Sequence, residues 1–413
     1  MKRRVFLKSG ALAFVTLGLT PGFVWRTAWA ETGRRRKTLV CIFQRGAVDG
    51  LNMIVPFGER SYYTMRPRIA VPQPGNREDA ALDLDGFFGL HPALAPLNDL
   101  YARGLLAPVQ AVGSPSATRS HFDAQYFMET ALPDVKSSRD GWLNRALAES
   151  QCCDPEGHKF LRAVALGDRL PVALTGEEVA LAISDLDSFM AMSGPSASLG
   201  AFEALYDEQG SDVVLGEAGR DAANAIKLLR EHDPRAYQAN VDYPPSPFGR
   251  SMLQIAQLIK ADVGLEIAFA DVGGWDTHVN QGGARGQLAN RLRDFGNSIA
   301  AFCSDLGDRM EDVVVLTMSE FGRTARENGN AGTDHGHANC MFVIGGSVRG
   351  GRTYGDWPGL DRSQLYEGRD LALSHDFRDI FAEIVAAHLG VENLTKVFPG
   401  YRVDASKFLG FLG

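Results

Sequence analysis

The sequence predicts an α/β fold in which a mainly parallel sheet is covered by helices on both faces. Short apolar runs without polar alternation recur along the chain, and amphipathic segments with a helical period lie between them. A strand that is apolar at nearly every position is buried on both faces, which is typical of parallel sheets. An intervening helix supplies the long crossover that a parallel pair of strands requires.

Several segments have the composition of buried strands. They are 38–43, 107–112, 161–166, 179–183, 265–272, 313–318 and 340–344. Each is rich in aliphatic or β-branched residues, the residue types that favour a strand. The strands at 161–166 and 179–183 belong to a less regular stretch, 150–250, which we interpret as an insertion.

Helical patterns separate these strands. They are expected around 94–101, from near Ser120, within 201–229, at 252–259, at 288–306 and at 377–389. The segment 288–306 is the clearest, because its apolar residues are spaced 4-3-4-3-4 and form one stripe. The last helix is expected to stop at Gly390, and the proline-rich turn 243–247 closes the irregular stretch.

The first thirty residues have the three parts of an export signal. Arg3 and Arg4 precede an uncharged stretch, and Ala28-Trp29-Ala30 is a small-residue cleavage site. This pattern predicts a twin-arginine signal peptide over 1–30, with the twin-arginine translocase as its partner and the periplasm or the extracellular space as destination. The alternative is a membrane anchor, but the stretch is short, contains Gly and Pro, and ends in the cleavage site. The segment 31–413 is expected to form a single domain with no stable anchor.

The charge balance argues against two classes of partner. Residues 1–30 contain five of the 42 lysines and arginines and none of the 50 acidic residues, so the rest of the chain is strongly acidic. Neither nucleic acid nor an anionic membrane would attract such a surface.

Cysteine usage points to no zinc ribbon. The chain has five cysteines, an odd number without a C-x-x-C pair. We expect buried free thiols, except that Cys152 and Cys153 lie in a polar stretch where they could oxidise.

Four polar clusters each follow a predicted strand. They contain Asp49 after the first strand, the segment 114–123 after the second, Asp276 with His278 after 265–272, and Glu320, His335 and His337 after 313–318. Strand ends of a parallel sheet meet at one edge, so these loops are expected to share a site. Carboxylates mixed with imidazoles suit one or two ions of zinc, manganese or iron. An isolated histidine is more often an ordinary hydrogen-bonding residue, and the metal prediction depends on the clustering.

The segment 114–121 is rich in hydroxyl groups at the start of a helix. Ser120 or Thr118 is a candidate nucleophile, and Arg119 with the N–H groups of the helix end is a candidate oxyanion site. The alternative is that a hydroxyl simply caps the helix. The chain has no G-x-G-x-x-G, Walker or G-x-S-x-G motif, which argues against dinucleotide binding, P-loop chemistry and an esterase of the α/β-hydrolase type.

Five motifs together resemble a known family. They are R-G-A-V-D-G-L-N (45–52), R-S-H-F-D-A (119–124), G-G-W-D-T-H (273–278), S-E-F-G-R-T (319–324) and D-H-G-H-A-N (334–339). With the twin-arginine start, they resemble the exported family known as domain of unknown function 1501, itself similar to the alkaline phosphatase and sulfatase superfamily. The resemblance implies an alkaline-phosphatase-like fold. It also implies metal ligation by Asp49, by Asp276 with His278, and by His335.

One position departs from the superfamily pattern. Where the superfamily has Asp-His, this chain has Glu320 followed by Phe321. Glu320 can bind a metal, but Phe321 cannot. His337 is the candidate to replace the missing histidine ligand. The resemblance implies an exported, metal-dependent hydrolase of phosphate or sulfate esters acting on a small anionic ester. The alternative, which Phe321 favours, is a non-catalytic periplasmic binding protein that retains the fold with an altered metal site.

Overall fold

An eight-stranded sheet runs through the centre of the computed structural model, which describes residues 36–150, 159–191 and 213–412. The strands are β1 (Thr38–Gln44), β2 (Ile54–Val55), β3 (Leu82–Asp83), β4 (Gly89–Leu90), β5 (Leu106–Gly113), β6 (Ala163–Leu166), β7 (Leu181–Ile183), β8 (Ile267–Val272), β9 (Val313–Met318), β10 (Asn339–Gly345) and β11 (His375–Asp376). The large sheet has the order β11-β5-β10-β9-β1-β8-β6-β7, and a small second sheet has the order β2-β4-β3.

Most neighbours in the large sheet are parallel. Strand β1 pairs in parallel with β8 and β9, β6 with β7 and β8, and β11 with β5. Strand β10 is antiparallel to both of its neighbours, β9 and β5. The predicted mainly parallel sheet is confirmed, and the reversal at β10 is an addition to it. The carboxyl ends of β1, β5, β8 and β9 therefore lie at one edge, together with the amino end of β10.

Helices cover both faces of this sheet. They are α1 (Gly50–Met53), α2 (Arg60–Met65), α3 (Ala95–Ala102), α4 (His121–Thr130), α5 (Trp142–Glu149), α6 (Leu186–Ala191), α7 (Val213–His232), α8 (Pro247–Lys260), α9 (Gln287–Leu306), α10 (Phe377–Ala387) and α11 (Leu394–Val397). Val40 and Ile42 of β1 belong to the same core cluster as the apolar stripe of α9. Leu39, Cys41 and Phe43 belong to a second cluster with α10. Because successive strand residues point to opposite faces, the two clusters lie on the two sides of the sheet.

The expected elements occur near their expected positions. Strand 313–318 matches β9, and the expectations for β1, β5 and β10 fall within one residue at each end. The two strands of the irregular stretch each begin two residues late, and the last helix ends at Ala387 rather than at 389. The small sheet was not expected.

Several expectations concern other features of the chain. Cys41, Cys303 and Cys340 are buried free thiols, as expected. Cys152, Cys153 and the signal peptide lie outside the described residues. Among the helices in the described ranges, none is both long and apolar enough to cross a membrane.

Candidate metal centre

Three loops meet at the carboxyl edge of the sheet. One follows β8 and contains Asp276 and His278, and one joins β9 to β10 and contains His335. The third follows β5 and ends in α4, whose first residue is His121. Gly46, in the loop after β1, lets the β8 loop come close: it has φ of +113°, and an added Cβ would lie 2.9 Å from the backbone nitrogen of Asp276.

The side chains of these loops converge on one carboxylate. Oδ1 of Asp276 lies 2.9 Å from Nε2 of His278 and 3.2 Å from Nε2 of His335. Oδ2 lies 3.5 Å from Nε2 of His121. One ligand atom from each of His121, Asp276 and His335 lies within 4.8 Å of the others. Two imidazole nitrogens and a carboxylate oxygen thus face a common point, and His278 Nε2 contacts the same carboxylate from beside them.

The opposite nitrogen of each imidazole is held by a separate group. His121 Nδ1 is 2.8 Å from Glu320 Oε1, and His278 Nδ1 is 3.2 Å from Asp334 Oδ1. His335 Nδ1 is 2.9 Å from the backbone oxygen of Arg119. An oxygen at Nδ1 favours the tautomer with its proton there and leaves Nε2 free to bind a cation, as is typical of metal-binding histidines.

The converging nitrogen and oxygen atoms are better arranged to bind a metal ion than to form hydrogen bonds with one another. His121 Nε2 is buried and has no hydrogen-bond partner within the described ranges. His278 Nε2 and His335 Nε2 lie 3.0 Å apart, although two neutral imidazoles with Nδ1 protonated offer no proton between them. A divalent cation would accept all these lone pairs. Nitrogen and oxygen donors of this kind suit zinc, manganese or iron.

Arg323 fixes the orientation of the Asp276 carboxylate. The guanidinium is buried, donates to Asp276 Oδ1 across 2.6 Å, and also donates to the backbone oxygens of Gly46, Ala47 and Thr333. Burial opposes ionisation of Asp276, but the hydrogen bond and the charge of Arg323, together with the neighbouring His278 and His121, outweigh it and keep the pKa of the carboxyl below its ordinary value. Asp276 is therefore ionised at neutral pH and keeps Oδ2 available.

The imidazoles differ in their affinity for protons. The hydrogen bond to Glu320 raises the pKa of His121 against the effect of burial. Burial lowers the pKa of His335. Burial also opposes ionisation of Glu320, but hydrogen bonds from His121 and Gln125 keep its pKa below the ordinary value. In the ion-free protein, protons therefore compete with a metal at His121 more strongly than at His335.

Phe321 forms an apolar wall of the centre. It is 4% exposed, and the centroid of its ring is 5.0 Å from those of His121 and His335. This apolar side chain thus packs against two of the candidate ligands.

The residues expected as ligands divide into two groups. Asp276, His278 and His335 are brought together, and Glu320 contacts this group through His121. Asp49 is buried elsewhere, with Oδ2 2.6 Å from both Arg66 and Gln281. His337 stacks on Tyr366 with ring centroids 4.1 Å apart. Neither Asp49 nor His337 is among the convergent ligand atoms.

The residues expected to carry out catalysis lie beside the centre, at the start of α4. Ser120 is the N-cap, and its Oγ accepts a long hydrogen bond of 3.5 Å from the nitrogen of Asp123. Thr118 Oγ1 accepts from the nitrogen of Ser120 at 3.3 Å. Arg119 pairs with Glu367 and Asp370 and contacts the centre through its backbone oxygen.

The sequence-based site did not include His121 or Arg323. His121 directly follows the predicted cap Ser120 and lies in the polar cluster 114–123 that follows a predicted strand, so its place at the sheet edge was a usable signal. Arg323 lies in the S-E-F-G-R-T motif, but nothing in the sequence indicates that its guanidinium is buried against Asp276.

Comparison with solved structures gives likenesses at low identity, and two of them are a sulfatase and a phosphonate monoester hydrolase. One is the PsFucS1 sulfatase from Pseudoalteromonas sp., at 11% identity and a TM-score of 0.31, covering 79% of this chain. This chain spans 66% of the sulfatase, slightly less than two thirds of its length. The other is the phosphonate monoester hydrolase of Agrobacterium radiobacter, at 10% identity and a TM-score of 0.30, covering 89% of this chain and 79% of that one. Scores this low leave the function to be argued from the site itself.

Comparison with known sequences identifies a family. No curated protein matches the chain. A family model described as protein of unknown function (DUF1501) matches residues 107–398, which include all four convergent side chains. The match covers more than half of the chain and includes four of the five motifs, while the motif at 45–52 lies outside it. The chain therefore belongs to the DUF1501 family.

Proposed function

We propose that this protein is an exported, metal-dependent hydrolase of phosphate or sulfate esters. The observation that supports this most is the convergence of Nε2 of His121, His278 and His335 on Asp276, with the Nδ1 atom of each ring held by an oxygen. Such an arrangement orients three imidazoles in advance, at a cost in conformational entropy that a structural role alone does not require.

His121, Asp276, His278 and His335 would hold the ion, and Glu320 would orient His121. A bound divalent cation supplies Lewis-acid polarisation of a phosphoryl or sulfuryl oxygen. Asp276 contributes the negative charge of the site, because Arg323 keeps it ionised. The substrate is then a small anionic ester that approaches from the exposed side of Asp276 and His278.

The start of α4 would provide the nucleophile or the anion-binding loop. As a cap, Ser120 Oγ accepts only a long hydrogen bond, so a lone pair of its oxygen remains available for nucleophilic attack. Thr118 is the second candidate hydroxyl. Arg119 adds positive charge to the same segment, although two carboxylates share its guanidinium.

Two measurements test the proposal: metal analysis of the purified protein, and activity assays with a panel of substrates. The panel contains phosphomonoesters, phosphodiesters and sulfate esters. The wild type is expected to bind one or two ions and to hydrolyse one class, and His278→Ala and His335→Ala are expected to lose both properties. His375→Ala is the matched control, since this imidazole accepts from the nitrogen of Asp356 outside the centre. Absence of both bound metal and turnover would refute the proposal.

A second candidate is a non-catalytic binding protein with an altered metal site. It is favoured by Phe321, which occupies apolar space against His121 and His335 where a second ion would need a ligand. Stoichiometric metal binding without turnover of any ester in the panel would support this candidate over the hydrolase.

Export by the twin-arginine route is part of the proposal. The charge pattern of residues 1–30 supports it. Replacing Arg3 and Arg4 together with lysine is expected to retain the protein in the cytoplasm, whereas the wild type is expected in the periplasm with Glu31 as its first residue. Cell fractionation and mass spectrometry of the intact protein measure both outcomes.

A further inference from the structure

Two large hydrophobic side chains are exposed immediately beside the candidate metal centre. Phe122 is 89% exposed and Val279 is 50% exposed, and they directly follow His121 and His278. Consecutive Cα atoms are ~3.8 Å apart, so the backbone of each residue lies next to that of a candidate ligand. The other large hydrophobic residue with comparable exposure in the described ranges is Val135, at 42%, and it follows no histidine of the centre.

The fold does not use the phenyl ring of Phe122. Helix α4 packs into the protein through Ala124, Phe127 and Met128, which are almost fully buried, whereas Phe122 points away from that face. A scattered exposed hydrophobic residue needs no explanation. Here, however, two of the three most exposed ones border the same centre.

The candidate ligands themselves are partly exposed to solvent. The side chains of Asp276 and His278 are 44% and 39% exposed. Those of His121 and His335 are 24% and 23% exposed. If the anionic group of a ligand binds at the centre, the rest of the ligand would extend outward on this exposed side and pass over the neighbouring side chains.

We propose that Phe122 and Val279 form an apolar subsite for the organic portion of the substrate. The substrate is then an anionic ester that carries an aromatic or extended hydrocarbon group next to its phosphate or sulfate. This inference rests on the proposed function and names its substrate class. A protein partner fits less well, because specific interfaces bury ~800 Å² on each side and two side chains offer far less.

Paired non-ester ligands test the subsite without requiring turnover. Phenylphosphonate and methylphosphonate, like benzenesulfonate and methanesulfonate, differ only in the apolar group. Titration calorimetry on the zinc-loaded protein measures both pairs. In the pair that binds, phosphonate or sulfonate, the phenyl ligand is expected to bind about tenfold more tightly than the methyl ligand. Phe122→Ala and Val279→Ala are expected to reduce that preference to below about threefold.

Val135→Ala is the matched control and is expected to keep the wild-type preference. All three positions are exposed, and circular dichroism verifies that the variants fold. If the methyl ligands bind and the phenyl ligands bind no better, the subsite is refuted while the proposed function stands. A phenyl preference that survives in both Phe122→Ala and Val279→Ala also refutes it. If no ligand binds at all, both the subsite and the anionic-ester function fail.

Discussion

Gln281 Nε2 donates a hydrogen bond to Asp49 Oδ2 across 2.6 Å, and both side chains are fully buried. The same amide accepts, at Oε1, from the hydroxyls of Thr277 at 2.9 Å and Thr333 at 2.8 Å. Thr277 belongs to the loop after β8 and Thr333 to the loop after β9. Gln281 therefore ties together the two loops that contain most of the candidate ligands, and Asp49 fixes the orientation of its amide.

Gln281→Met is expected to weaken metal binding about tenfold and to lower the free energy of unfolding by about 2–3 kcal/mol. Methionine has a similar length but leaves Asp49 and the two threonine hydroxyls without this partner. Competition with a chelator measures the metal affinity, and urea titration measures the stability. Gln364→Met, at an exposed position, is the control and should change neither. If Gln281→Met binds metal as tightly as the wild type does, the arrangement of the two loops does not depend on these hydrogen bonds.

Glu320 variants distinguish a metal ligand from a residue that positions His121. Glu320→Ala is expected to weaken metal binding by about 10- to 100-fold, because His121 Nδ1 loses its acceptor. Glu320→Gln keeps an oxygen that can accept from Nδ1, and should lose less than about tenfold. Calorimetric titration with zinc compares the two variants. Equal losses would indicate that the carboxylate itself binds the ion, as the sequence suggested.

Gly332 allows the loops after β8 and β9 to touch. A Cβ at this position would lie 2.2 Å from the backbone oxygen of His278. Gly332→Ala is therefore expected to displace His278, weakening metal binding and lowering the free energy of unfolding by about 1–3 kcal/mol. Gly329→Ala, in the same loop, is the matched control, because nothing lies within 4 Å of its added Cβ. Indistinguishable metal affinities and melting temperatures would contradict the close approach.

His388 is expected to contribute to acid sensitivity far from the centre. Its Nε2 lies 3.0 Å from the backbone oxygen of Thr38, and burial lowers the pKa of the imidazole to about 4. Because the unfolded chain binds this proton near pH 6.5 and the folded protein only near 4, stability is lost as the pH falls through that window.

His388→Gln keeps a donor to Thr38 and removes the titration. The difference in free energy of unfolding between pH 7 and pH 4 should shrink by about 3 kcal/mol relative to the wild type. Denaturant titrations in the presence of a chelator measure it without interference from metal release. An unchanged difference would mean that other groups account for the acid sensitivity.

The sheet could be predicted because its strands are buried on both faces. Strands β1, β5, β9 and β10 appear in the sequence as continuous apolar runs between polar loops, and α9 appears as one stripe. The direction of β10 could not be predicted, since an apolar run has the same pattern in either direction. The small sheet has strands of two residues, too short to show a period.

The candidate centre could be predicted in part. Asp276, His278 and His335 follow the rule that loops at the carboxyl ends of parallel strands meet. His121 was overlooked because Ser120, directly before it, matches an ordinary helix cap. Arg66, which pairs with Asp49, lies in a stretch without a functional pattern, and sequence does not show which strand-end carboxylate a distant guanidinium will reach.

The antiparallel strand β10 has a consequence for how this site can change. Because β10 runs against β9, the chain leaves the sheet and re-enters it at the same edge, and the intervening segment 319–338 never crosses the core. Glu320, Arg323 and His335 all lie in this one segment. Exchange of this segment between two members of the family would transfer His335 together with Glu320 and Arg323, while His121, Asp276, His278 and the surrounding helices stay in place.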